Sequence, residues 1–168
     1  MMISVIGGEV ATPEVAELAE AVGRELARRG CVVVCGGGSG VMEAVCLGAR
    51  AEGGHTIGIL PGKNSGEFQA NPYVEFPIYT GIGYARNQMV VLSGDAVIAV
   101  DGAYGTLTEI AYALIYDVPV VGLDTWDFLY HGHDADRIYR AGDPVEAVEK
   151  AIAAARERID ERARAKSP

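Results

Sequence analysis

Short apolar runs alternate along this chain with longer stretches in which apolar residues recur every three or four positions. Residues 3–6, 31–35, 56–60, 96–100 and 118–123 are apolar runs of strand length, and each predicts a strand. The run 31–35 is apolar throughout, as expected of a parallel strand covered on both faces. Helical patterns fill the gaps. Thr12 and Pro13 read as the N-cap and first residue of a helix reaching about Arg29 and ended by Gly30, with Val15, Leu18, Ala19, Val22 and Leu26 on one face. The glycine-rich segment Gly36, Gly37, Gly38, Ser39, Gly40 leads into a second helix over 41–52. A third opens at Thr80-Gly81-Ile82-Gly83 and runs to about Ser93, and a fourth covers 107–116. A fifth starts at Asp143-Pro144 and is expected to fray after Arg158, so that 1–158 form one domain and 159–168 a charged tail. Residues 61–72 and 124–136 read as loops, 73–79 as holding a short extended piece, and 137–141 as a last short strand.

Strands alternating with helices predict an α/β fold, a doubly wound parallel sheet in a single domain. Such sheets bind ligands at the carboxyl ends of their strands, where the strand order reverses. With the five main strands ordered 3-2-1-4-5, that crevice lies between the first strand and 96–100, and Gly7 and Gly8 face residues 102–105.

The segment Asp101, Gly102, Ala103, Tyr104, Gly105, Thr106 follows one of these strands and empties into a helix. A strand, a glycine-rich turn and a helix start gather free backbone amides and the positive end of the helix dipole, which suits a phosphate. Glu109 falls in the first turn of the expected helix. It either complements the helix dipole or serves as a general acid/base or as a carboxylate that stabilises positive charge on a sugar ring. Arg86, near the start of another helix, either pairs with a surface acid or binds a phosphate or carboxylate in bidentate fashion. The glycines at 36–40 either let a helix pack closely on the sheet or approach a ligand. They do not meet the GxGxxG dinucleotide frame, and no GxxxxGK[ST] loop occurs in the chain.

The remaining composition narrows the classes. A chain of 168 residues suffices for one full core, and its 22 glycines mark many tight turns. A net charge of −9 argues against nucleic-acid binding and makes any phosphate site depend on local amides and arginines. No apolar run approaches the ~20 residues of a membrane span, and residues 1–6 are too short for a signal peptide, so a cytoplasmic location is expected. Cys31, Cys35 and Cys46 lack metal-ligand spacing, and Cys31 and Cys35 read as small core residues. His55, His131 and His133 form no metal-ligand pattern with acids, so no metal is expected.

Taken together, residues 36–42, Arg86-Asn87 and residues 101–109 resemble the Lonely Guy (LOG) family, long mislabelled as lysine decarboxylases. Their closest resemblance is to the short branch that has an Arg-Asn pair and includes molybdenum-cofactor carrier proteins. The resemblance implies a Rossmann-like homodimer or higher homo-oligomer that requires no cofactor. It implies cleavage of the N-glycosidic bond of nucleoside 5′-monophosphates, with phosphate on Gly102, Gly105 and Thr106 and catalysis by Arg86 and Glu109. Three positions depart from the family's PGGxGTxxE and Arg-Lys patterns: Asp101 for proline, Ala103 for glycine and Asn87 for lysine. These departures suit a slow hydrolase, or a noncatalytic carrier or sensor of a phosphorylated ligand such as a nucleotide or molybdopterin-type cofactor. The decarboxylase label does not fit. A pyridoxal phosphate enzyme needs a Schiff-base lysine, and the chain offers only Lys63 in a loop and Lys150 and Lys166 near its charged end.

Overall fold

The computed structural model describes residues 1–130, 133–134 and 138–165. The chain order is β1 (Met2–Gly7), α1 (Pro13–Arg28), β2 (Val32–Cys35), α2 (Val41–Ala51), β3 (Thr56–Leu60) and β4 (Phe76–Tyr79). A 3₁₀ turn (Gly83–Arg86) then runs directly into α3 (Asn87–Ser93), followed by β5 (Ala96–Val100), α4 (Tyr104–Ile115) and β6 (Val120–Leu123). The two-residue strands β7 (Leu129–Tyr130) and β8 (His133–Asp134) precede β9 (Ile138–Ala141) and α5 (Pro144–Ala165).

Seven strands form one sheet in the order β4-β3-β2-β1-β5-β6-β9, and every neighbouring pair in it is parallel. The five central strands take the expected order, and the two short ones add to the edges. The order reverses between β1 and β5, whose carboxyl ends meet where Gly7 pairs with Val100. β5 is buried along its whole length, as a central strand covered on both faces must be. β4 leaves Phe76 and Ile78 exposed and carries Pro77, both features of an edge.

Each face has its own core. Ile3, Val5, Val33, Ile98 and Val121 pack under α1, α2 and α5, while Ile6, Val34, Val97, Ala99 and Val120 pack under α3 and α4. Gly23 and Gly48 let α1 and α2 touch backbone to backbone: a β-carbon at either position would lie 2.1 or 2.0 Å from a carbonyl oxygen of the other helix. Ser4 points into the second face, where its hydroxyl donates to the Val90 carbonyl at 2.6 Å and ties α3 to the middle of β1.

Some boundaries differ from the sequence expectation. α1 starts as read, with Thr12 Oγ1 accepting from the Val15 amide at 3.3 Å. α4, however, begins at Tyr104 instead of 107, which puts Glu109 in its second turn and removes the simple first-turn reading. The third helix begins as a 3₁₀ turn, and a short antiparallel β7–β8 pair interrupts the expected 124–136 loop. α5 does not fray after Arg158 but continues to Ala165. Arg158 is itself buried and donates to the carbonyls of Gly94 and Asp95, which anchors the helix at that point. Among the described residues no helix is long and apolar enough to cross a membrane. His131 and Lys166 lie outside the described residues.

Candidate functional site

A cavity of about 250 Å³ opens above the carboxyl ends of β1 and β5, where the order reverses. Its walls bring together Gly7 and Gly8 after β1, Gly36 after β2, Arg86 and Asn87 at the start of α3, and Tyr104, Gly105, Thr106 and Glu109 on α4. These residues come from segments up to a hundred positions apart, and all were candidates on sequence grounds.

α4 starts at the cavity. Its N-cap, Ala103, is extended (φ −105°, ψ −164°) and makes no side-chain cap bond. Helix geometry leaves the amides of Tyr104, Gly105 and Thr106 without partners inside the helix, and all three residues line the cavity. The negative φ also means that alanine fits here without strain. The Thr106 hydroxyl is buried and has no hydrogen-bond partner. A buried polar atom without a partner costs free energy, which a ligand oxygen offsets.

Arg86 is 9% exposed and Glu109 6%. Arg86 Nη1 donates to Asn87 Oδ1 at 2.7 Å and to Glu109 Oε1 at 3.4 Å, while its Nε is buried and unbonded. Burial pushes the Glu109 carboxyl up to about 7, and the Arg86 charge opposes that rise without cancelling it. The surface-pair reading of Arg86 is therefore replaced by a buried pair. Asn87, 4% exposed, is held from both ends: its Nδ2 donates to Thr108 Oγ1 at 3.2 Å and to the Gly105 carbonyl at 3.5 Å. It lines the cavity while linking the Arg86 guanidinium to the first turn of α4.

The two glycine-rich turns divide their labour. Gly36 borders the cavity because it leaves room for Arg86. Gly37, Gly38, Ser39 and Gly40 do not line it. Asn71 grips the carbonyls of Gly37 and Gly38, Ser39 Oγ donates to the Glu9 carbonyl, and Gly40 lets the chain pass beside Gly8. These four residues show the close packing that was one of the two readings of the turn. Asp101 and Gly102 also stand outside the walls. Asp101 has φ +50°, its amide donates to the Leu123 carbonyl, and its own carbonyl accepts from Thr125 Oγ1. A proline has neither that φ nor that amide, so this turn is not built as in the proline-containing signature. Gly102 sits against Thr106, where a β-carbon would meet the threonine side chain at 2.6 Å.

Sequence reading missed Ile6, Glu9, Met42 and Tyr84, which also line the cavity. Ile6 and Glu9 directly flank the singled-out pair Gly7-Gly8, and that adjacency was the available signal. Cys35 and Cys46 are buried with their sulfurs 3.5 Å apart behind the first turn, and Cys31 is buried too, as small core residues. His55 Nδ1 meets Glu75 Oε2 at 2.8 Å on the surface. No cluster among the described residues has the make-up of a metal site, and neither Lys63 nor Lys150 reaches the cavity.

The sheet order and the place of this cavity define a Rossmann-like α/β protein. Within that class, the chain belongs to the SLOG cluster4 family, whose model matches residues 1–152. A Mycobacterium marinum protein named cytokinin riboside 5′-monophosphate phosphoribohydrolase is 36% identical over 121 residues, which are 68% of this chain and 65% of the relative. The chain thus spans just under two thirds of that protein. The solved structure of the molybdenum cofactor binding protein from Rippkaea orientalis matches with a TM-score of 0.82 at 37% identity, covering 90% of this chain and 95% of that one. The Moco carrier protein of Chlamydomonas reinhardtii matches with a TM-score of 0.79 at 32% identity, covering 95% and 98%. The LOG-like resemblance read from the motifs, including its carrier-containing branch, agrees with these findings.

Proposed function

We propose that the protein binds a phosphorylated, nucleotide-like ligand and hydrolyses the N-glycosidic bond of a nucleoside 5′-monophosphate at a slow rate. The observation that carries this reading is the buried Arg86–Glu109 pair in one cavity with the open amides of α4. The phosphate sits on the amides of Tyr104, Gly105 and Thr106 and takes the unpartnered Thr106 hydroxyl. Gly102 serves this end indirectly, by giving Thr106 its space. As the bond from C1′ to the base nitrogen breaks, the ribose becomes oxocarbenium-like. Glu109 in its carboxylate form favours that charge and accepts a proton from the attacking water, while Arg86 holds the carboxylate in place. Hydroxide adds to C1′, the departing nitrogen takes a proton, and the products are free base and ribose 5-phosphate. A carboxyl near pH 7 is poised to take and return a proton under neutral conditions.

The test is chromatographic detection of free base from AMP, isopentenyl-AMP and GMP, comparing the native chain with Glu109→Ala. Release that falls at least about a hundredfold in the variant supports the hydrolase. Release no greater than that of the variant sinks it.

A second reading is a noncatalytic carrier of a molybdopterin-type ligand. The Asp101 backbone and the clamped Asn87 favour it, since both differ from the hydrolase signature. A cofactor that co-purifies and stays bound without turnover is its expected sign. In either case the protein acts as a homodimer. The apolar side chains Met89 and Leu92 on α3, and Ile115 and Tyr116 at the end of α4, are exposed on packed neighbouring helices and supply an interface. Light scattering should give twice the 17.7 kDa chain mass.

A further inference from the structure

We infer that Glu9 selects the ring of the ligand and that the ring carries a 2-amino-4-oxopyrimidine edge, the edge shared by guanine nucleotides and phosphorylated pterins. This rests on the reading that the α4 cavity holds the ligand's phosphate.

A second cavity, of about 240 Å³, adjoins the first. Met42, Tyr84, Arg86 and Glu9 line both, and Pro61 and Phe68 complete the apolar walls of the second. Together the two reach the lower part of the ~300–1,000 Å³ range of small-molecule sites. A ligand anchored by phosphate at α4 and extending past Arg86 would place a flat ring among Met42, Pro61, Phe68 and Tyr84, side chains suited to its faces.

The edge of that ring must then satisfy the polar groups present. Arg86 Nη1 is already engaged with Asn87 and Glu109. The Glu9 carboxylate is exposed and makes no hydrogen bond or ion pair among the described residues. Its backbone is nevertheless held, because Ser39 Oγ donates to the Glu9 carbonyl at 2.9 Å and the Val41 amide donates to Gly8 at 3.0 Å. A fixed backbone with a free carboxylate at the rim of an apolar slot is an acceptor awaiting donors. An ionised carboxylate only accepts, through two oxygens, and it pairs with two adjacent N–H donors. Guanine and pterin rings offer such a pair, a ring N–H beside an amino group. Adenine offers an amino group beside a ring nitrogen whose lone pair faces the carboxylate, so the same residue that attracts one edge repels the other.

The experiment is calorimetric titration of the native chain and Glu9→Gln with GMP, IMP, AMP and a pterin monophosphate. GMP or the pterin monophosphate should bind the native chain at least about tenfold more tightly than AMP. IMP, which keeps the ring N–H but lacks the amino group, should fall between. Glu9→Gln should bring GMP, IMP and AMP within about threefold of one another, by weakening GMP and strengthening AMP, with thermal stability intact. The tighter of GMP and the pterin monophosphate identifies the source of the edge. AMP binding as tightly as both overturns the inference while leaving the phosphate reading in place. If no phosphorylated ligand binds, both fall together.

Discussion

A β-carbon placed on Gly36 would stand 2.6 Å from Nη2 of Arg86 and 2.8 Å from the guanidinium carbon. The turn after β2 thus serves the site by having no side chain where the arginine lies, which is why one glycine of a five-residue turn borders the cavity while the others are held against β3, Asn71 and the Gly8-Glu9 loop. The two residues are fifty positions apart, and their contact fixes where the only arginine on the cavity wall can point among the described residues.

Gly36→Ala should therefore displace the guanidinium from Asn87 and Glu109. The expected cost is about 1–3 kcal/mol of stability from overpacking, together with a loss of at least about tenfold in affinity for a nucleoside monophosphate. Urea unfolding and ligand titration measure the two effects separately. A variant that binds as well as the native chain would show that Arg86 does not set affinity.

Glu109 makes stability depend on pH in a defined direction. Its carboxyl is raised from 4.5 to about 7, so between those values the folded state holds a proton that the unfolded state has released. The stabilising contribution is complete below pH 4.5 and disappears as pH rises through 7, a change of about 3 kcal/mol from this group. Denaturant titrations from pH 4.5 to 8 should show this decline in the native chain and its loss in Glu109→Gln. Hydrolysis, which uses the carboxylate, should rise over the same interval.

Thr106→Val separates binding from folding. The hydroxyl is 2% exposed and unpartnered in the free protein, so its removal should leave stability within about 1 kcal/mol of the native value or raise it. Phosphate-bearing ligands should lose about tenfold in affinity, because a hydrogen bond to a charged group is worth ~1.5–3 kcal/mol. Equal binding by the two proteins would remove Thr106 from the phosphate site.

Asp101 tests the backbone of the second turn. Asp101→Pro demands a negative φ and deletes the amide bonded to Leu123, and should cost about 3 kcal/mol or more. Asp101→Gly accepts φ +50° readily and should lie within about 1 kcal/mol of native. If the proline variant is as stable as the glycine variant by thermal unfolding, the turn adopts a different conformation in solution.

Much of this architecture was legible in local pattern. The runs at 56–60 and 96–100 match β3 and β5 residue for residue, Thr12-Pro13 marks the start of α1, and the short connections together with the reversal rule place the crevice between β1 and β5. Helix and strand periodicities arise from neighbours a few residues apart, so a single chain displays them directly. The start of α4 was less visible, because Tyr104 and Gly105 read as turn residues until the packed sheet and helix draw them into the first turn. Which glycines touch the cavity, that Glu9 stands at its rim and that Arg86 pairs with Glu109 were decided only in three dimensions. So was the protonation of Glu109, since a carboxyl's pKa follows the water and charge around it. The sequence by itself determined the elements and the residue types available for chemistry. The tertiary structure decided which of them meet, because cavity walls and desolvation are made by segments that are distant in the chain and adjacent only after folding.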